Sequence, residues 1–135
     1  MGTMHEPDPE TVAPLRVLVV DADDRVRESL TGLLGIGRDV VVVGSAGHAG
    51  PALAIVASES PDVVVIDPRL PELDGGLALI NQLRATAPTV RILVLGRTDC
   101  PDRESLVAVA DGFARKTFRP NELVAAIVAA GRPAA

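Results

Sequence analysis

The sequence predicts an α/β fold: a (βα)5 doubly wound parallel sheet with helices on both faces. Three observations carry that expectation. Four short aliphatic runs stand at 17–20 (VLVV), 40–43 (VVVV), 63–66 (VVVI) and 92–95 (ILVL). All are apolar on both faces, as strands covered by helices on both sides must be. The gaps between the runs are about twenty residues long, enough for one crossover helix each. Each gap also carries a helix signal of its own.

Residues 1–14 (MGTMHEPDPETVAP) are polar and proline-bearing without periodicity, and read as a disordered tail. After the first run, Asp23 or Asp24 can cap a helix with apolar positions Val26, Leu30, Leu33 and Leu34. A second helix is expected near Pro51–Ser58, and Asp74 is placed to cap a third that holds Leu77, Leu79, Ile80 and Leu83. A fourth, shorter helix is expected over roughly 102–110. A weaker fifth strand, GFARK (112–116), precedes a helix that opens at Pro120 and carries Leu123, Val124, Ile127 and Val128 on one face. The resulting domain spans 15–131, with 132–135 as a frayed end.

Composition excludes several classes. A chain of 135 residues suits one domain that needs no disulfide or metal staple. Cys100 is alone, which fits a reducing cytoplasm. The longest apolar run, LVAAIVAA, falls far short of the roughly 20 residues that span a bilayer, so no membrane role is expected. A net charge of −5 argues against direct nucleic-acid binding by this chain. Of the 13 basic residues only Lys116 is a lysine, which makes its position informative.

In a doubly wound sheet, ligands sit at the carboxyl ends of the strands. Asp21 follows the first run, Asp67 follows the third, and Lys116 ends the fifth. If the strand order is 2-1-3-4-5, the two aspartates face each other across that edge. Two close carboxylates need a compensating cation, which the lysine and a hard ion such as Mg²⁺ could supply. The bland alternative is that aspartates after strands cap helices and start turns, and it is preferred for Asp23, Asp24 and Asp74. It is weaker for Asp67, because Pro68 and Pro71 keep the next segment extended. Lys116 could equally be a surface lysine; the coincidence of three such residues on one edge raises the functional reading.

The segments RVLVVDADDRVRESL, PDVVVIDPRLPELDGGLALINQLRATAP and DGFARK resemble the receiver domains of two-component response regulators, NarL-type in flavour, over about residues 15–131. The resemblance implies the flavodoxin-like strand order 2-1-3-4-5. It implies Asp67 as the acceptor of a phosphoryl group from a histidine kinase and Lys116 as the partner of that group. Asp21, Asp67 and the backbone carbonyl of Arg69 would form the Mg²⁺ site, and Phe113 would stand at an aromatic switch position. The implied role is a signalling domain, not an enzyme beyond self-catalysed phosphotransfer and dephosphorylation. It would act through a downstream protein partner, with a homodimer as a candidate assembly.

Two positions depart from that pattern. Ala22 stands where a second acid is usual, lowering the site's formal charge from −2 to −1 and implying weak Mg²⁺ binding. Gly96 replaces the usual Thr or Ser, so the hydroxyl that would link the site to Phe113 is absent, and Thr98 is the nearest substitute. An alternative is therefore a degenerate receiver acting as a phosphorylation-independent binding or dimerisation module. A flavodoxin-like enzyme or nucleotide binder lacks its phosphate-cradle signature here. The glycine-rich GSAGHAG (44–50) follows the edge strand, with His48 expected to be an exposed loop residue.

Overall fold

The computed structural model describes residues 13–70, 73–96 and 103–132. Its elements alternate throughout. They are β1 (Leu15–Val20), α1 (Asp24–Leu34), β2 (Val40–Ala46), α2 (Ala49–Glu59), β3 (Val63–Ile66), α3 (Leu73–Thr86), β4 (Arg91–Gly96), α4 (Arg103–Val109), β5 (Gly112–Arg115) and α5 (Pro120–Gly131). The strands form one parallel sheet in the order β2-β1-β3-β4-β5. The expected disorder at 1–14 falls mostly outside the described residues, as do Pro71, Thr98, Cys100 and residues 133–135.

Two-residue alternation splits each central strand between two cores. Leu18, Val20, Val64, Ile66, Ile92 and Val94 pack on the face that also holds Leu79, Ile80 and Leu83 of α3 and Leu106 of α4. Val17, Val19, Val63, Val65, Leu93 and Leu95 pack on the other, against Leu30 and Leu34 of α1 and Leu123 and Ile127 of α5. Burying one such side chain is worth about 1.5–3 kcal/mol, so the aliphatic core carries the fold with almost no aromatic help. β2 departs from the expectation of two apolar faces, because it lies at the sheet edge and leaves Val41 exposed.

The cap of α1 resolves to Asp23, whose Oδ1 accepts from the backbone N–H groups of Arg25 and Val26 at 2.9 and 3.2 Å. α2 begins at Ala49, ahead of Pro51, which the first helical turn tolerates. α3 begins at Leu73, so Asp74 lies inside the helix instead of before it; its side chain is outside the described set. Pro120 opens α5 as expected.

Two acids secure the sheet edge opposite the carboxyl ends. Asp62 Oδ2 accepts from the Arg16 N–H at 2.9 Å. Asp111 Oδ2 accepts from the Ile92 N–H at 2.7 Å and from Arg84 Nη2 at 2.8 Å. At the other edge, Gly75 and Gly76 are required by close approach. A Cβ at Gly75 would overlap the carbonyl oxygen of Leu70, and one at Gly76 that of Pro68. The loop after Asp67 thus lies directly on the first turn of α3.

Candidate functional site

Adjacent β1 and β3 end side by side, with Val20 opposite Ile66, so the next residue of each, Asp21 and Asp67, emerges at the same edge. The Asp67 N–H donates to the Val20 carbonyl at 3.0 Å and the Asp21 N–H to that of Ala46 at 3.0 Å, extending the ladder one residue past the strands. Lys116 follows β5 and is held by its own N–H donating to the Gly96 carbonyl at 2.9 Å. Three residues far apart in sequence therefore share one edge.

Their side chains meet. Lys116 Nζ donates to Asp21 Oδ2 at 2.6 Å and also to Asp67 Oδ2. All three side chains are mostly buried, Asp21 almost completely. The other oxygens of the two carboxylates take backbone donors: Asp21 Oδ1 from the Asp23 N–H at 2.9 Å and Asp67 Oδ1 from the Arg69 N–H at 3.0 Å. Burial pushes the Lys116 ammonium down, but hydrogen bonds to Asp21 and Asp67, reinforced by their charges, outweigh it and hold it above the ordinary lysine value.

These groups open into a cavity of about 490 Å³, which Ala22, Val26, Pro68, Arg69, Gly96 and Phe118 also line. Water takes roughly 30 Å³ per molecule, so a phosphoryl group and a hydrated ion both fit. Asp23 borders the cavity too, yet its Oδ1 is committed to capping α1, which tells against its standing in for the acid missing at Ala22. Among the described residues, no group of three or more His, Cys, Asp or Glu side chains could hold a metal ion. What remains is two carboxylates with an ammonium between them. Mg²⁺ is held by as few as one or two carboxylates with water making up its shell, so the donor set fits at its lower limit.

Three features of the site were not legible as such. Arg27 Nη1 donates to the Asp21 carbonyl at 2.7 Å while Nη2 pairs with Asp24, clamping the β1–α1 turn from behind. Its only sequence signal was the i,i+3 spacing of Asp24 and Arg27. Phe118, half exposed, lines the cavity two residues beyond Lys116; an aromatic in so aromatic-poor a chain was the available clue. Phe113 is half-buried against the α3–α4 core and its ring lies over Gly96. His48 is exposed at the start of α2, as expected.

Five parallel strands in this order with five helices make the flavodoxin-like fold of CheY-like proteins. Residues 17–128 match the family described as the response regulator receiver domain, and the chain belongs to that family. It is 41% identical over 114 residues to the response regulator MprA of Mycolicibacterium vanbaalenii, covering 83% of this chain and 48% of that protein. It is 36% identical over 122 residues to the DNA-binding transcriptional activator DevR/DosR of Mycobacterium tuberculosis, covering 87% and 56%. The chain spans about half the length of these curated relatives.

Among solved structures, the signal receiver domain of NarL from Mycobacterium tuberculosis superposes with a TM-score of 0.79 at 27% identity, covering 91% of this chain and all of that one. The response regulator domain of CheB from Thermotoga maritima gives 0.76 at 27%, covering 90% and 99%. Receiver domains are signalling domains of two-component systems, and phosphorylation on an aspartate by a histidine kinase is general among them. No helix among the described residues is long and apolar enough to cross a membrane.

The raised Lys116 value sets the sign of a pH dependence. Its contribution to stability is fully present below the unfolded-state lysine value of about 10.4 and is lost as pH rises through the folded value. Replacing Lys116 with Met leaves two carboxylates facing one another without a cation. Urea unfolding will show Lys116→Met less stable than the parent at pH 7, by about 3 kcal/mol. The deficit will shrink as pH rises through the folded Lys116 value, where the parent loses the same positive charge. Equal stability at pH 7 would show that the ammonium does not neutralise the pair.

Proposed function

We propose that Asp67 takes the phosphoryl group from the phosphohistidine of a histidine kinase and that the domain signals through a protein interface. One observation carries this reading: the Asp67 carboxylate shares Lys116 with Asp21 at the floor of an open cavity, at the carboxyl end of the central strand β3. In the transfer, an Asp67 oxygen attacks phosphorus, the phosphorus–nitrogen bond breaks, and the freed imidazole takes up a proton. Lys116 then pairs with the new phosphoryl oxygens, relinquishing one of its two carboxylate contacts.

Asp21, Asp67 and the Arg69 backbone carbonyl would hold Mg²⁺ beside this group. The ion would neutralise charge on the transferring phosphoryl. Ala22 leaves it one carboxylate short, so binding is weak. The domain is a phosphoacceptor, with no catalysis beyond its own phosphotransfer and dephosphorylation. The cytoplasm is the compartment that suits the lone Cys100 and a kinase partner. A homodimer and a downstream protein are its proposed associations, and this acidic chain makes no direct contact with nucleic acid.

Ala22 and Gly96 favour a second reading, a degenerate receiver that binds its partner without phosphate. Intact-mass measurement after incubation with acetyl phosphate and Mg²⁺ separates the two. The first reading predicts an adduct of about 80 daltons, the mass of one phosphoryl group, which Asp67→Asn abolishes. No adduct with acetyl phosphate or with a cognate kinase would leave the degenerate module standing.

The metal site has its own test. Mg²⁺ titration followed by amide NMR should show Ala22→Asp binding about tenfold more tightly than the parent, roughly 1.4 kcal/mol. No tightening would remove residue 22 from the metal site.

A further inference from the structure

Gly96 occupies the place where the site meets β5. It lines the cavity that holds Asp67, and on its other side it touches the ring of Phe113. A Cβ built on Gly96 would lie 2.5 Å from Phe113 Cζ and 3.0 Å from Cε2. Carbon atoms at van der Waals contact sit about 3.5–4.0 Å apart, so the ring already fills the space of a side chain at position 96. The edge of the ring has become the wall that any residue larger than glycine would supply.

The backbone holds this arrangement from both strands. Val94 pairs with Phe113 and Gly96 with Arg115 in the β4–β5 ladder, and the Lys116 N–H donates to the Gly96 carbonyl. The ring also packs against the core shared by α3 and α4. A change at Asp67 that reached Phe113 through residue 96 would need a side chain there that moves. Gly96 has none, and the volume such a group would sweep is occupied.

We infer that Phe113 and Gly96 form a fixed interlock, so that the β5 face beside α4 keeps one arrangement whether or not Asp67 carries a phosphoryl group. Phe118 lines the cavity itself, so its ring is the one placed to register a phosphoryl group at the site. The interlock stands on packing alone. Only its insensitivity to Asp67 chemistry rests on the phosphoacceptor reading.

The chain has two phenylalanines, so selective ¹³C labelling at the ring ζ position yields two assignable signals. In the parent protein, a strong nuclear Overhauser effect is expected between Phe113 Hζ and the Gly96 α-protons. Its absence would overturn the interlock. Gly96→Ala should move the Phe113 signal by more than its line width and leave that of Phe118 in place; an unmoved Phe113 signal would also overturn it. Should that variant not fold, the Overhauser contact in the parent still decides.

The second arm adds acetyl phosphate and Mg²⁺, with the adduct confirmed by mass in the same sample. The Phe118 signal should then shift, while the Phe113 signal and its contact to Gly96 persist. Movement of Phe113 on phosphorylation would overturn the claim that β5 is insensitive. Failure to form the adduct would count against Asp67 as phosphoacceptor, and the first arm would still decide the interlock.

Discussion

The ammonium of Lys116 holds together the carboxyl edge of the sheet. It reaches across from β5 to the ends of β1 and β3, meeting residues 95 and 49 positions away in sequence. Without it, Asp21 and Asp67 would face one another with like charge in a mostly buried position, a placement that costs several kcal/mol unless paired. The sheet order makes the bridge possible, since only with β1 and β3 adjacent do their terminal aspartates converge. The bridge in turn leaves the Asp67 carboxylate paired with the ammonium, hydrogen-bonded on both oxygens, and open to a cavity.

Around this bridge two positions that line the cavity, Ala22 and Gly96, carry no polar side chain. Ala22 brings only a methyl group to the cavity wall, and the Asp23 carboxylate beside it is committed to closing the α1 terminus. Gly96 brings no side chain at all, and the ring of Phe113 occupies the vacated volume. On the proposed reading, the acceptor and its counter-cation are present, while the groups that would strengthen a metal and transmit a switch are missing.

Much of this was legible in the residues, for physical reasons. Strands buried on both faces must be aliphatic, so the runs at 17–20, 63–66 and 92–95 announced themselves, and Asp21 and Asp67 after the first and third strands, with Lys116 after the fifth, marked the functional edge. β2 was legible as a strand but not in its exposure, which depends on lying at the edge. Local signals located Asp23 and Asp24 as cap candidates, whereas the choice between them needed the geometry of the first turn. The convergence of Asp21, Asp67 and Lys116 was legible once the strand order was assumed, but other side-chain contacts stayed hidden. The spacing of Asp24 and Arg27 pointed to their ion pair but not to the Asp21 carbonyl behind it, and the resemblance linked residue 96 to Phe113 without showing the ring against Gly96. The glycine pair was visible as a motif, but its cause, a loop backbone lying on α3, was not.

The bridge can be observed directly because the chain has one lysine. Selective ¹⁵N labelling of Lys116 in metal-free protein at neutral pH, with ¹³C-labelled aspartate, allows couplings through the hydrogen bonds from Nζ to the two carboxyl carbons to be read. Correlations to both Asp21 Cγ and Asp67 Cγ are predicted, with the one to residue 67 lost in Asp67→Ala. A rapidly exchanging ammonium with no coupling to either aspartate would contradict the account at its centre.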